Sequence, residues 1–188
     1  MSFFDINSEN LADSKQLARL MFVLNSVSVP TLCLVQGAAF GGAVGLIACC
    51  DIALATADAK FCLSEVKLGL IPAVISPYVI KAMGERQARR YFLTAEVFNA
   101  EAALEMGLIH QLCDDVNQSA DTLLQAIINN GPIAVKAAKA LINDVSGHPI
   151  TSTLTDMTSE RIARIRVSDE GQEGLTAFFE KRAPSWQN

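Results

Sequence analysis

The sequence predicts an α/β fold in which a small parallel β-sheet core is followed by a helical C-terminal third. Three observations lead to this prediction. Residues 31–36 are apolar and β-branched without polar alternation, which is typical of a strand covered on both faces. A turn rich in Gly and Ala, an apolar run of helical length and a second short strand follow, and this order predicts a βαβ crossover. After residue 113 the remaining patterns are helical.

The first predicted element is an amphipathic helix. From Leu11 to Leu24, apolar residues recur at intervals of three and four residues, with charged residues between them. This spacing places the apolar side chains on one face of a helix. We expect the helix to end before Pro30 and the first strand to occupy residues 31–36.

The next predicted elements complete the crossover. Residues 37–42 form a turn rich in Gly and Ala, and the apolar run 43–50 fits a short buried helix that stops near Asp51. Residues 52–55 and 60–63 then predict two further short strands.

The later elements are marked by helix caps. Ser76 before Pro77 fits an N-cap and a first helical position. Gly84 and Gly107 stand where C-terminal caps are expected, and Asn99 precedes a helix through residue 106. A short strand is predicted at 108–113, and further helices at about 117–130, 132–145, 150–167 and 169–181.

The composition excludes several classes of protein. With 188 residues and 51% hydrophobic residues, the chain can bury a core, which excludes an intrinsically disordered protein. A net charge of -5 without any long run of Lys and Arg disfavours nucleic-acid binding. Residues 20–50 carry no charge, but Gly, Pro and polar residues divide them into pieces too short for a membrane span.

The cysteines and the N-terminus indicate a cytoplasmic protein. Five cysteines, an odd number without a C-x-x-C pair, favour buried reduced thiols over a disulfide framework or a zinc site. We therefore expect no metal. The first residues carry neither a basic nor an apolar signal region, so no secretory signal is predicted.

The glycine-rich turn is the first candidate site. Residues 37–45 read GAAFGGAVG, which fits neither a dinucleotide fingerprint nor a P-loop. Glycines directly before a helix leave backbone N–H groups pointing outward with partial positive charge, and such groups bind an oxyanion. Close packing of the helix on a strand would also require glycines at these positions. The spacing therefore leaves both interpretations open, an oxyanion site and close packing.

Glu65 is the second candidate. It follows a predicted strand and stands among apolar residues. An apolar setting favours the neutral form of a carboxylate, which suits a general acid/base. The alternative is a surface ion pair with Lys67, which spacing alone favours.

The order of these candidates resembles the enoyl-CoA hydratase/isomerase, or crotonase, family. The matching segments are residues 30–42, 50–53, 59–61 and 65–72, and the similarity runs from about Asn10 to Trp186. Residues 41–46 and 64–69 look most like hydratases of branched, carboxylated acyl-CoAs, of the methylglutaconyl-CoA and carboxygeranoyl-CoA type. The resemblance implies a spiral core of ββα turns over 1–115, incomplete at its N-terminus. It also implies a helical region over 116–188 that trimerises and covers the active site.

The resemblance also implies roles for individual residues. The Gly42 N–H polarises the thioester carbonyl, and Glu65 moves protons at the neighbouring acyl carbons. Lys181 reaches a CoA phosphate across a subunit boundary. The other residues implied to contact the substrate are Phe40, Gly41, Ala43, Gly45 and Pro72. The implied protein takes an acyl-CoA as substrate without a further cofactor, acts in fatty acid metabolism or leucine degradation, and is a homotrimer or a dimer of trimers.

Two departures from the family pattern leave three functions open. Many hydratases of the family have a second glutamate where this chain has Gly45, and residues 1–10 do not resemble the family's N-terminal oxyanion loop. The leading hypothesis is an enoyl-CoA hydratase in which Glu65 handles both proton transfers. The alternatives are an enoyl-CoA isomerase with a single Glu base and a truncated, weakly active paralogue that acts as an assembly or binding partner.

Overall fold

The predicted parallel sheet is present in the computed structural model, which describes residues 8–187. Strand β1 (Leu32–Val35) pairs in parallel with β3 (Ile52–Thr56), and β3 pairs in parallel with β6 (Gln111–Cys113). Helix α2 (Gly42–Cys49) lies between β1 and β3 in the chain. The predicted βαβ crossover is therefore confirmed.

A second sheet contains two strands that the sequence did not predict, the first and the last of its three in chain order. β2 (Ala38–Phe40) pairs in parallel with β4 (Lys60–Cys62), and β4 pairs in antiparallel with β5 (Phe98–Asn99). The prediction of a turn throughout residues 37–42 is wrong. Ala-Ala-Phe has no β-branched residue and no polar alternation, and its partner strand is distant in sequence, so pairing rather than local preference makes this strand.

The bend between β1 and β2 falls at Gly37. Its φ of 69° lies in the left-handed region, which glycine adopts without steric cost. The carbonyl of Gly37 accepts a hydrogen bond of 2.8 Å from the N–H of Lys60. This bond begins the pairing that aligns β2 with β4.

Helices cover these sheets in the first part of the chain. α1 (Ser8–Ser26) packs on α2, and α2 packs on α3 (Ser76–Met83), which is followed by α4 (Glu85–Thr94) and α5 (Ala100–Glu105). The predicted helix over residues 11–24 lies within α1. The core is built from side chains of these helices and both sheets, among them Met21, Val44, Leu54, Phe61, Leu63 and Val79, each fully buried.

Two predicted helix boundaries are confirmed by their geometry. The side chain of Asn99 accepts a hydrogen bond of 3.0 Å from the N–H of Ala102, so Asn99 is the N-cap of α5. Gly84 is the C-cap of α3 with a φ of 79°. Both residues satisfy backbone groups that a helix end leaves unpaired.

The N-cap predicted at Ser76 is wrong by one residue. α3 begins at Ser76 and its N-cap is Ile75. The hydroxyl of Ser76 donates to the carbonyl of Ala73 at 2.8 Å and so does not accept from the first helical turn. Pro77 still lies in that turn, where its missing N–H costs nothing.

The chain divides into two compact units, which are described separately. The first contains the described residues up to Val27 together with Thr31–Ala120, and the second contains Ser28–Pro30 together with the described residues from Asp121. Helix α6 (Val116–Ile128) runs from the first unit into the second. The remaining elements of the second unit are α7 (Pro132–Val145), α8 (Ser152–Arg166), α9 (Asp169–Glu180) and a 3-10 helix at Ser185–Gln187. The helical C-terminal third is thus confirmed, whereas the division at residue 115 and the trimerising role stay predictions.

A carboxylate joins two helices inside the second unit. Both oxygens of Glu170, in α9, accept hydrogen bonds from backbone N–H groups at the start of α7, from Ile133 at 2.9 Å and from Ala134 at 2.7 Å. A negative charge at a helix N-terminus satisfies orphan donors and interacts favourably with the helix dipole. A Cβ on Gly131 would lie 2.5 Å from Glu170 Oε1, so the glycine leaves room for this contact.

Two further expectations concern membranes and disulfides. Within residues 8–187, none of the helices is both long enough and apolar enough to cross a bilayer. All five cysteines are described, and no disulfide joins any of them.

The side chain of His110 extends the pairing of β3 with β6. The backbone N–H of His110 donates to the carbonyl of Ala53 at 2.7 Å, and the N–H of Ala53 donates back to His110 Nδ1 at 3.1 Å. Ala53 is only 1% exposed, so water does not replace this acceptor. The ring therefore serves as a strand partner, through Nδ1 as the acceptor.

We predict that replacing His110 with leucine destabilises the fold by about 1–3 kcal/mol, because the buried N–H of Ala53 loses its acceptor. Urea denaturation of the variant and of the unmodified chain measures this difference. The matched control is His148→Leu, at an exposed position, which we expect to change stability by less than about 0.5 kcal/mol. Equal losses from both substitutions would contradict the prediction.

Candidate active site

Backbone pairing brings Glu65 next to the glycine turn. Glu65 is the first residue of a 3-10 helix, Glu65–Leu68, that follows β4. At the end of β4, the carbonyl of Cys62 accepts a hydrogen bond of 2.8 Å from the N–H of Gly41. This bond fixes the start of α2 beside the segment that carries Glu65. The two candidates that the sequence separates by more than twenty residues are therefore neighbours.

Gly41 is required by both its backbone and its surroundings. Its φ of 54° and ψ of -122° belong to a region that residues with a Cβ rarely adopt. A Cβ at this position would lie 3.3 Å from Glu65 Oε1 and 3.7 Å from Ser64 Oγ. The glycine thus allows the carboxylate to approach the main chain at the start of α2.

The first residues of α2 present free N–H groups at this point. Gly42 is the first helical residue, and the first turn of a helix has no intrahelical acceptor for its N–H groups. Within residues 8–187, neither the N–H of Gly42 nor that of Ala43 donates to another group of the protein. These donors carry the positive end of the helix dipole and suit a developing oxyanion.

The carboxylate of Glu65 has one oxygen without a partner. Glu65 Oε2 is buried and makes no hydrogen bond within the described part of the chain. A buried polar atom without a partner is costly, and in a native protein it points to a bound group or a proton that the site uses. This geometry favours a functional role for Glu65.

Lys67 does not pair with Glu65. In the described chain no ion pair joins the two residues, and the ammonium of Lys67 instead lies 3.9 Å from Cys62 Sγ. The surface ion pair that spacing alone favours is therefore wrong. The 3-10 helix separates the two side chains, since residues two apart do not face each other.

The predicted substrate contacts around Gly42 fall into two groups. Phe40 is the last residue of β2, Gly41 is the N-cap of α2 and Ala43 is the second residue of that helix. Phe40 is 46% exposed. Pro72 lies after the 3-10 helix, in a loop with an exposed Ile71. It lines a cavity of about 240 Å³ whose other walls are Val66, Ile71, Ala73, Ser76, Phe92 and Leu93.

Ile75 is a site residue that the sequence did not identify. An ideal Cβ on Gly45, one turn into α2, would lie 2.2 Å from Ile75 Cγ2 and 3.3 Å from Met21 Cε. Ile75 is 2% exposed, so it has little room to move. Its methyl group fills the space that a side chain at position 45 would need. No local signal reveals this contact, because its partners are thirty residues apart.

The last predicted contact, Lys181, belongs to the second unit. Lys181 is the exposed C-cap of α9, with a φ of 55°. The neighbouring Arg182 forms a bidentate pair with Glu173, with N–O distances of 2.7 and 2.9 Å, and this hydrogen bonding lowers the pKa of Glu173 to about 2. The contact of Lys181 with a CoA phosphate stays a prediction.

Among the described residues, no group of three or more His, Cys, Asp or Glu side chains is arranged to hold a metal ion.

Comparison with known proteins gives one consistent family. Residues 6–188 match the family model described as enoyl-CoA hydratase/isomerase. A crystal structure of an enoyl-CoA hydratase from Shewanella pealeana is 57% identical, with a TM-score of 0.93 over 99% of this chain and 69% of that one.

Two curated relatives differ in their named reaction. The mitochondrial Delta(3,5)-Delta(2,4)-dienoyl-CoA isomerase of Dictyostelium discoideum is 34% identical over 86% of this chain and 56% of its own length. The crotonyl-CoA hydratase of Syntrophomonas wolfei is 28% identical over 85% of this chain and 62% of its own length. The chain thus spans less than two thirds of either relative.

We predict that Gly45→Ala lowers stability by about 1–3 kcal/mol, since the added methyl overpacks against Ile75. The loss should be smaller when Ile75 is also changed to alanine, and a double-mutant cycle by urea denaturation measures the coupling. Gly42→Ala is the matched control in the same helix, because nothing lies within 4 Å of its ideal Cβ. Additive losses from Gly45→Ala and Ile75→Ala would show that the steric account is wrong.

Proposed function

The chain belongs to the enoyl-CoA hydratase/isomerase (crotonase) family, and from this premise we propose that it adds water across the 2,3 double bond of an enoyl-CoA thioester. One observation carries the proposal: Glu65, a carboxylate with an unpartnered buried oxygen, lies against Gly41, the residue directly before the free N–H of Gly42. Hydration needs a group that moves protons and a donor that stabilises negative charge. This site supplies both.

In the proposed reaction, the thioester carbonyl accepts a hydrogen bond from the N–H of Gly42. The Glu65 carboxylate removes a proton from water as the water oxygen bonds to C3. The electron pair of the double bond moves toward the thioester oxygen, where the N–H stabilises the enolate. Glu65, now protonated, delivers its proton to C2 and returns to its starting state. A single carboxylate thus handles both transfers on one face of the substrate.

A second candidate is double-bond isomerisation, which the contact between Gly45 and Ile75 favours. That contact leaves no room for a second carboxylate at position 45, and isomerisation needs only one base that removes a proton and returns it elsewhere. One named relative is a dienoyl-CoA isomerase. Mass spectrometry separates the reactions, because hydration of crotonyl-CoA adds one water and isomerisation of a 3-enoyl-CoA leaves the mass unchanged.

The acyl group and the assembly form a finer part of the proposal. The amino-acid sequences of residues 41–46 and 64–69 support a substrate with a branched, carboxylated acyl chain. 3-Methylglutaconyl-CoA is therefore the substrate to compare with crotonyl-CoA. We also propose a cytoplasmic homotrimer or dimer of trimers. Exposed apolar side chains of the second unit support an assembly, notably Ile142, Ile162, Phe178 and Phe179.

We predict that Glu65→Gln lowers kcat for hydration by about a hundredfold or more, because the amide neither accepts nor returns the proton. The loss of the conjugated thioester absorbance measures the rate. Glu101→Gln is the control, since Glu101 is exposed on α5, and we expect full activity from it. Full activity of the Glu65 variant would show that Glu65 is not the acid/base. Absence of turnover by the unmodified chain would favour the alternative in which the chain acts only as a binding partner.

We predict that Gly42→Pro lowers kcat on the order of 10²–10³-fold, since proline removes the oxyanion donor. The first helical position tolerates proline, so we expect the circular dichroism spectrum to stay unchanged. Gly42→Ala keeps the N–H and has open space for its methyl, so it should retain most of the activity. Equal activity of the two variants would exclude Gly42 as the donor.

A further inference from the structure

A cavity of about 330 Å³ lies within the second unit and contains none of the residues assigned to the candidate active site. Its volume falls in the range of small-molecule sites, about 300–1,000 Å³, whose walls are mostly apolar with a few polar groups. The apolar walls are Val29, Pro30, Ile127, Ile128, Pro132 and Val135. We propose that this cavity binds a small monocarboxylate with an apolar chain, such as a medium-chain fatty acid. Binding at this cavity is independent of the reaction proposed above.

The indole of Trp186 forms a further wall and is held in place by its surroundings. Trp186 Nε1 donates a hydrogen bond of 3.3 Å to the carbonyl of Asn129, and Gln187 Nε2 donates to the same carbonyl at 2.7 Å. The ring also lies against the backbone of α9, since an ideal Cβ on Gly174 would be 3.0 Å from Trp186 Cη2. A wall that is already ordered loses little side-chain freedom when a ligand binds.

The turn that carries Trp186 is tied to α9 by a single carboxylate. Glu173 accepts two hydrogen bonds from Arg182, and its Oε1 also accepts one of 2.8 Å from the backbone N–H of Ser185. These bonds lower the pKa of Glu173 to about 2, so the carboxylate stays charged at neutral pH. The indole wall therefore has a fixed position in the folded second unit.

Lys136 gives the cavity a positive charge. It is an exposed residue of α7 that lines the cavity, and within residues 8–187 it forms neither a hydrogen bond nor an ion pair. Of the described residues that line the cavity, none is acidic. The carboxylate of Glu170 lies at the start of α7, but both of its oxygens already accept hydrogen bonds from Ile133 and Ala134. The ammonium of Lys136 therefore favours an anionic ligand.

The other polar residue of the cavity carries no charge. Asn130 Nδ2 donates at 2.8 Å to the carbonyl of Ala126, so among the described lining residues Lys136 alone is charged. A phosphate carries up to two charges and is usually held by several donors, whereas one ammonium matches one carboxylate. A hydrocarbon chain that covers the apolar walls removes them from water. Together these features select a monocarboxylate with an apolar chain.

Trp186 is the only tryptophan of the chain, so its fluorescence reports on this cavity. The test titrates the folded full chain with octanoate at neutral pH. We expect a saturable shift of the emission to shorter wavelength, because the octanoate chain replaces water beside the indole.

Two matched probes separate the charge of the ligand from its chain. 1-Octanol has the chain without the carboxylate, and acetate has the carboxylate without the chain. We expect 1-octanol to bind about three- to tenfold more weakly than octanoate, and we expect acetate to leave the emission unchanged.

Variants then test the role of Lys136. Lys136→Met keeps an apolar chain of similar length and removes the charge, so we expect octanoate to bind about three- to tenfold more weakly and 1-octanol to bind as before. Lys81→Met is the matched control, at an exposed lysine of α3 that does not line the cavity, and it should leave both affinities unchanged.

Any of three results would overturn the proposal. They are an emission that octanoate leaves unchanged, equal affinities of the unmodified chain for octanoate and 1-octanol, and an octanoate affinity that Lys136→Met leaves unchanged. The first two are measured on the unmodified chain, so they decide even where a variant fails to fold.

Discussion

The hydrogen bond from the N–H of Gly41 to the carbonyl of Cys62 is the contact on which the candidate site depends. It joins the end of one short strand to the start of α2. Because of this bond, the 3-10 helix that follows β4 begins beside the free N–H groups of the helix. Neither the carboxylate nor the N–H donor would form a site alone. The second sheet, whose strands have two or three residues each, therefore matters more for the candidate site than its size indicates.

The sequence was sufficient for most of the fold because its local signals agree with the tertiary structure. Helices α7 and α9 begin and end close to their predicted limits, and β1 and β3 form the expected parallel pair. The strands β2 and β5 escaped prediction because their residues have little strand preference by themselves. They become strands through pairing with β4, and pairing between distant segments leaves no periodic trace in a single sequence.

The same distinction applies to the site. Glu65 and Gly42 could be predicted because a carboxylate among apolar residues and glycines before a helix are chemical signals. Their proximity could not, since it requires the register of β2 with β4. The steric role of Ile75 is likewise a property of packing. In each case the residue type gives no sign of its partner, and only the folded chain identifies it.

The two groups of the candidate site, the N–H of Gly42 and the carboxylate of Glu65, differ in how readily a mutation removes them. The proposed oxyanion donor is a main-chain group, and every amino acid except proline supplies it, so most codon changes at position 42 leave the donor in place. The carboxylate of Glu65 depends on a side chain, and most substitutions remove it. A gene duplicate released from selection would thus tend to lose the carboxylate first while keeping the N–H group that we propose as the donor to a carbonyl oxygen. Descendants of such a protein would retain a ligand-binding fold from which new chemistry could evolve.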